Sequence, residues 1–129
     1  MTVVDTSVLV AIIDKEHDAA DFLRLLSRQR VLAIPASCYL EAVMVLRRLA
    51  NGRAALDAFL TDNSVFILPL DAAQARLAAD AFERYGRGSG HPARLNFGDC
   101  LSYAAARAQR APLLYKGEDF ARTDLAAVA

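Results

Sequence analysis

The sequence predicts an α/β fold in three layers: a mostly parallel central sheet of four to five strands with helices on both faces. Short, wholly apolar runs such as Val31-Leu32-Ala33-Ile34 have the composition of parallel strands buried on both sides. They alternate with longer segments whose apolar residues recur at helical spacing, the order expected of strands joined by crossover helices. Composition agrees: 55% of the 129 residues are apolar, which excludes disorder and demands a large buried or partner-covered surface. Neither repeats nor a linker interrupt residues 1–129, so a single domain is expected.

Taken in order, Thr2 to Val4 reads as the first strand, running through Asp5 into a helix from Val8 to about Asp14. A second helix is expected from His17 to Arg28, with Ala20, Leu23 and Leu26 inward; His17 and Asp18 serve as start signals and His17 has no chemical role. Val31 to Ile34 is the second strand. Pro35 ends it and opens a helix, where its missing N–H leaves no bond unmade. That helix, about Ala36 to Ala50, turns Tyr39, Ala42, Val43, Leu46, Leu49 and Ala50 toward the core until Asn51-Gly52 stops it. A helix from Arg53 to Leu60 and a third strand, Val65 to Leu68, come next. Asp71 caps a helix reaching Tyr85, with Ala75, Leu77, Ala78 and Phe82 inward. The glycine-rich stretch from Gly86 to Pro92 is not a phosphate loop, because no Lys-Ser/Thr follows its glycines and no strand directly precedes it. It reads as a mobile, basic loop. Asn96-Phe97-Gly98-Asp99 opens a helix from Cys100 to Gln109, with Leu101, Ala104, Ala105 and Ala108 inward. Pro112 to Tyr115 is the fourth strand, and residues 125–128 supply a short edge strand.

Several function classes drop out. No apolar run approaches the ~20 residues of a membrane span, and Asp5 interrupts any signal-peptide core, so a cytoplasmic location is expected. Cys38 and Cys100 lack the spacing of a zinc site or a disulfide framework and read as small core residues. Fifteen basic residues balance fifteen acidic ones, which argues against nonspecific coating of nucleic acid. The distribution is uneven: from Arg84 to Arg110, five arginines face the single acid Asp99. Arginine is the side chain suited to forked phosphate contacts, although an ordinary solvated surface accounts for any one of them.

Four carboxylates follow successive strands. Asp5 comes after the first, Glu41 lies early in the helix after the second, Asp99 opens a late helix, and Asp119 follows the fourth with Glu118 beside it. Each has a structural alternative: Asp5 and Asp99 as N-caps, Glu41 as a helix-start acid favoured by the macrodipole, Asp119 as a turn residue. Together they lie at the carboxyl edge of one sheet, where open α/β folds bind ligands. Like charges so gathered repel unless a cation holds them. Oxygen donors without His or Cys select Mg2+ or Mn2+ over zinc, and such ions between carboxylates serve phosphate chemistry.

These segments resemble the PIN-domain ribonucleases, specifically the VapC toxins of bacterial toxin–antitoxin pairs. The resemblance is carried by Val3-Val4-Asp5-Thr6-Ser7, by Pro35-Ala36-Ser37-Cys38-Tyr39-Leu40-Glu41, by Leu95-Asn96-Phe97-Gly98-Asp99-Cys100 and by Leu113-Leu114-Tyr115-Lys116-Gly117-Glu118-Asp119-Phe120, in family order and across essentially the whole chain. It implies a PIN-like fold and a Mg2+-dependent endoribonuclease that cuts cellular RNA to inhibit translation. In that reading Asp5, Glu41, Asp99 and Asp119 form the acidic pocket and Asp5 and Asp99 are the principal metal ligands. Ser7 and Asn96 steady the site, and Mn2+ is a substitute metal. It also implies a homodimer and a small cognate antitoxin. Many relatives carry an acid where this chain has Gly117, so Glu118 is a second candidate for the fourth acid. Lys116 either touches phosphate or is surface. Independently of the resemblance, Val10, Ile13, Leu25, Met44 and Val45 fall beyond the expected core stripes and are candidates for a partner surface. The competing reading is a receiver-like phospho-acceptor module, also a small α/β protein with acids at the sheet edge and a late Lys. Against it, Asp5 has no adjacent acid, and Asp71 after the third strand looks like a cap.

Overall fold

The computed structural model describes residues 1–125 and 128. Its sheet contains β1 (Thr2–Val4), β2 (Leu32–Pro35), β3 (Phe66–Leu68) and β4 (Leu113–Leu114), and the helices are α1 (Thr6–Ile13), α2 (Ala19–Ser27), α3 (Ala36–Leu46), α4 (Gly52–Asp62), α5 (Ala72–Tyr85) and α6 (Phe97–Gln109). A 3-10 turn, Phe120–Arg122, lies beyond β4.

The strands lie in the order β3-β2-β1-β4, and every pairing is parallel. Val3 pairs with Ala33 on one side and Leu113 on the other. The chain steps outward from β1 through β2 to β3, then crosses back to lay β4 on the opposite flank of β1. The direction therefore reverses beside β1, which makes the carboxyl end of that strand the switch-point crevice of the sheet.

Alternation along the strands splits the core in two. Val3 and Leu113 point into a cluster with α5 and α6, built around Tyr85, Leu95, Leu101, Ala104 and Ala105. Val4 and Leu114 point the other way, into a cluster with Val8, Leu9, Leu26, Cys38, Leu46 and Leu56 from α1 to α4. α6 buries Ala104, Ala105 and Ala106 in succession, small side chains that let this helix lie close against the sheet. At the α3–α4 turn a Cβ on Gly52 would sit 2.2 Å from the carbonyl oxygen of Leu46, so only glycine fits. Both cysteines are buried and free, as expected of small core residues.

Several expected faces are corrected. β3, expected as the central strand, lies at the edge of the sheet: it pairs with β2 alone, and Phe66 and Ile67 are 59% and 47% exposed. In α2 the packed residues are Phe22, Leu25 and Leu26, while Ala20 and Leu23 face solvent. α3 ends at Leu46, four residues early, where the chain tightens toward Gly52 and leaves Ala50 exposed. In α5 the buried set is Gln74, Ala78, Ala81 and Tyr85; Ala75 and Phe82 are exposed, as is Ala108 in α6. The glycine-rich loop is tied at its base, where the Arg87 amide donates to Leu95 O and the Leu95 amide to Tyr85 O. The expected edge strand over 125–128 lies outside the described residues at 126 and 127. Among the described residues, no helix is long and apolar enough to cross a membrane.

Candidate active site

Asp5 occupies the switch point, 7% exposed. Its amide donates to Leu114 O at 2.9 Å, carrying the β1–β4 pairing one residue past the strand. Its Oδ2 accepts from the Ser7 amide at 3.1 Å, capping α1, and from the Ser7 hydroxyl at 2.7 Å. The same hydroxyl accepts from the Lys116 amide at 3.0 Å, so Ser7 fastens the segment after β4 to the first helix. On the other side, Oδ1 accepts from the Ser102 hydroxyl of α6 at 2.6 Å. Cys38 of α3 places its sulphur 3.2 Å from that hydroxyl and 3.9 Å from Oδ1. Capping and site-building are thus the same act for Asp5: one carboxylate gathers α1, α3, α6 and the end of β4.

Asp99 stands in the first turn of α6 in a reciprocal capping box. Its amide donates to the Asn96 side chain at 2.8 Å, and its Oδ2 accepts from the Asn96 amide at 3.0 Å. Asn96 accordingly fixes Asp99 by backbone and side chain together. Burial first, then the charges of Asp5, Asp119 and Glu41, together raise the Asp99 carboxyl to about 6 against the pull of the Asn96 hydrogen bond. Those three acids are close enough to act on one group.

Glu41 is exposed rather than buried in the apolar stretch around it, and its carboxylate reaches over the start of α6. A Cβ on Gly98 would lie 2.8 Å from Glu41 Oε2, so the glycine makes room for that carboxylate. Asp119 is exposed at the start of the 3-10 turn and makes no side-chain cap. Its charge bears on Asp99, whereas that of Glu118 bears on Tyr115. Lys116 is neither a free phosphate contact nor plain surface. Its Nζ pairs with Glu16 at 2.9 Å and Asp18 at 3.1 Å, clamping the α1–α2 connection to the end of β4. Of the basic stretch, Arg84 and Arg107 both face Asp124 at 3.8 Å.

The donor chemistry fits a hard divalent cation: all the acids are oxygen donors, and the desolvated Asp99 lies in the field of three other carboxylates. Among the described residues, no three His, Cys, Asp or Glu side chains stand close enough together to hold an ion by themselves, so the fit rests on the chemistry of the donors and not on a preformed ligand set. Beside Glu41, an apolar groove is lined by Leu40, Met44, Val45, Phe97 and Leu101, with Phe97 83% exposed. Of the expected partner residues, Met44 and Val45 lie in this groove. Val10, Ile13 and Leu25 instead pack against the core of α1 to α4.

Ser102, Cys38 and Gly98 were not among the expected site residues. The available signal for Ser102 was a hydroxyl one helical turn beyond Asp99, set in the apolar face of Leu101, Tyr103, Ala104 and Ala105.

Residues 2–125 match the family profile described as PIN domain. The chain belongs to the PIN-domain family, among the VapC ribonucleases. It is 46% identical to Ribonuclease VapC28 of Mycobacterium tuberculosis, over 94% of this chain and 92% of that one. It is 43% identical to Ribonuclease VapC of Mycolicibacterium smegmatis, over 98% of both. In fold it is similar to the Mycobacterium tuberculosis VapC20 toxin, described as cleaving the sarcin–ricin loop, with a TM-score of 0.76 at 22% identity over 99% and 98% of the two chains. It is similar too to VapBC2 of Rickettsia felis, solved with promoter DNA, at a TM-score of 0.75 and 20% identity over 95% of this chain and 92% of that one.

The electrostatics and packing of this edge can be tested at Asp99 and at Gly98. Asp99 binds its proton more tightly folded, at about 6, than at its ordinary 3.8. The stability this confers is complete below pH 3.8 and is lost as pH rises through 6. Asp99→Asn keeps an oxygen for the Asn96 amide and carries no charge. Metal-free melts across pH are expected to show it matching the parent near pH 4 and exceeding it by on the order of 1 kcal/mol near pH 7.5, after allowance for solvent screening. Gly98→Ala is expected to leave the melting temperature equal or higher, since alanine favours helix by ~1 kcal/mol. Its Cβ displaces the Glu41 carboxylate, and nuclease assays should show activity falling while the fold holds.

Proposed function

We propose that this chain, as one PIN domain over residues 1–129, is a divalent-metal-dependent endoribonuclease with Asp5, Glu41, Asp99 and Asp119 as its acidic centre. The observation that carries this reading is the buried Asp5 at the sheet's switch point, facing an Asp99 whose carboxyl is raised by burial and by Asp5, Asp119 and Glu41. Asp5 and Asp99 are the principal ligands for Mg2+, with Mn2+ as a substitute. Asp119 is preferred to Glu118 as the fourth acid because its charge reaches Asp99. Ser7 orients Asp5, and Asn96 orients Asp99. A bound divalent cation supplies an activated water and charge neutralisation at the departing oxygen. The protein's part is to hold that water and the RNA phosphodiester in line, with a carboxylate accepting the water's proton. Relatives named VapC ribonucleases at 40–46% identity support RNA as substrate and toxin as role. A receiver-like module is not favoured, since Lys116 is paired with Glu16 and Asp18 and Asp71 caps α5.

The same reading gives the protein a cytoplasmic setting and two partners. One is a second copy of the chain, for which the exposed Leu40, Met44, Val45 and Phe97 offer apolar surface. The other is a small antitoxin, supported by structural neighbours solved as VapBC2 and as a toxin–antitoxin complex from Klebsiella pneumoniae. An amphipathic antitoxin segment suits a groove between helices, and an Arg carried by it complements the acidic centre.

Asp5→Asn and Asp99→Asn are each expected to lower RNA cleavage at least a hundredfold while circular dichroism stays native. Mg2+ or Mn2+ should sustain the parent and Zn2+ should replace them poorly. Undiminished cleavage by both variants, or after exhaustive chelation, overturns the assignment. Expression with and without the neighbouring small open reading frame tests the partners. The pair is expected to form a complex of higher mass in which cleavage and growth arrest are suppressed. A monomer indifferent to that neighbour would remove the toxin role and leave the nuclease.

A further inference from the structure

The region behind Asp5 contains more polar chemistry than capping requires. Ser102 is 0% exposed on an otherwise apolar stretch of α6, and its hydroxyl reaches across to β1's end to meet Asp5 Oδ1 at 2.6 Å. A serine hydroxyl has one proton to give, and the carboxylate can only accept it. The lone pairs of Ser102 then face the Cys38 thiol, 3.2 Å away and 1% exposed, as the donor behind them. The Thr6 hydroxyl, also buried, has no hydrogen-bond partner of its own, so it makes no claim on Asp5. Ser7 holds Oδ2 from the solvent side while Ser102 holds Oδ1 from the core side. Ser102 also lies one turn beyond Asp99 on the same helix, so α6 carries one proposed ligand and the anchor of the other.

We propose that Ser102, backed by Cys38, is the positioning residue that fixes the Asp5 carboxylate for the metal and sets its distance from Asp99. This role rests on the metal-dependent nuclease reading. Ser7 supplies both hydrogen bonds to Oδ2, whereas Oδ1 accepts from Ser102 and, with the Cys38 thiol turned to that hydroxyl, keeps a lone pair for the cation, so the line Cys38–Ser102–Asp5 decides how Oδ1 is presented. Outer partners of this kind tune metal affinity by roughly 10–100-fold. The effect therefore appears in metal binding rather than in RNA binding.

The test measures Mn2+ binding by titration calorimetry, independently of turnover, for the parent, Ser102→Ala, Cys38→Ala and Cys38→Ser, each checked for its metal-free melting temperature. Ser102→Ala is expected to weaken Mn2+ binding about tenfold. The Mn2+ needed for half-maximal cleavage should rise in parallel, with KM for RNA unchanged at saturating metal. Cys38→Ser keeps a donor behind Ser102 and should bind as the parent does, with Cys38→Ala between the two. Parent-like Mn2+ affinity in a folded Ser102→Ala overturns the inference and leaves the nuclease reading intact. So does an equal loss in all three variants that tracks their melting temperatures, which marks a packing role alone. A parent chain that cuts RNA yet binds Mn2+ no better than Asp5→Asn overturns the metal reading itself.

Discussion

The carboxylate of Asp5 is the constraint on which the rest of the structure depends. It begins α1 and accepts hydrogen bonds from both of the helical layers, while the amide of the same residue extends the β1–β4 pairing by one bond. Burying a carboxylate is costly unless its oxygens are satisfied. Here the satisfying groups come from Ser7, Ser102 and the neighbouring Cys38, drawn from elements far apart in sequence. Meeting that cost fixes how α1, α3 and α6 stand at the carboxyl end of the sheet, so the site and the fold share one set of bonds.

Electrostatics at this edge runs against stability. Asp99 keeps its proton well above the ordinary carboxylate range because burial and three nearby acids oppose its charge. The capping box with Asn96 offsets part of that opposition and ties the residue to the start of α6. Small residues supply the rest of the geometry. Gly98 leaves space for the Glu41 carboxylate, and the alanines of α6 let the helix lie close to β1 and β4. Repulsion among acids is tolerated because each is held by backbone that other interactions have already placed.

Much of this is legible in the sequence because it is local. The strand–Asp–helix pattern at Thr2 to Ile13 needs only neighbouring residues and reads correctly, whereas Asp99, expected as an N-cap, is the third residue of a helix that Asn96 caps. The order of strands and helices can be read from hydrophobic run length. What the sequence withholds is which face meets what. The exposure of Phe66 and Ile67 depends on β3 being at the edge, and the burial of Phe22 and Leu25 in place of Ala20 and Leu23 depends on how α2 leans on α1. The bond from Ser102 to Asp5 spans 97 positions and exists only once the crossover from β3 to β4 is complete. Lys116 likewise becomes intelligible only when Glu16 and Asp18 are brought opposite it.

The segment that delivers Asp119 has a particular vulnerability. β4 is only two residues long, and the chain beyond it is retained by a few separable fastenings. These are the Lys116 amide on Ser7, the Lys116 ammonium on Glu16 and Asp18, the Phe120 ring in the core cluster of α5 and α6, and the Tyr103 hydroxyl on Asp124. Ionic fastenings near the surface weaken with salt, whereas the alanine-packed α6 does not. The Lys116 pairing is therefore a salt-sensitive hold on residues 115–124, while Phe120, 3% exposed, is held by burial that salt leaves alone. Asp119 stands between those two fastenings, so among Asp5, Glu41, Asp99 and Asp119 it is the one whose placement depends on ionic strength.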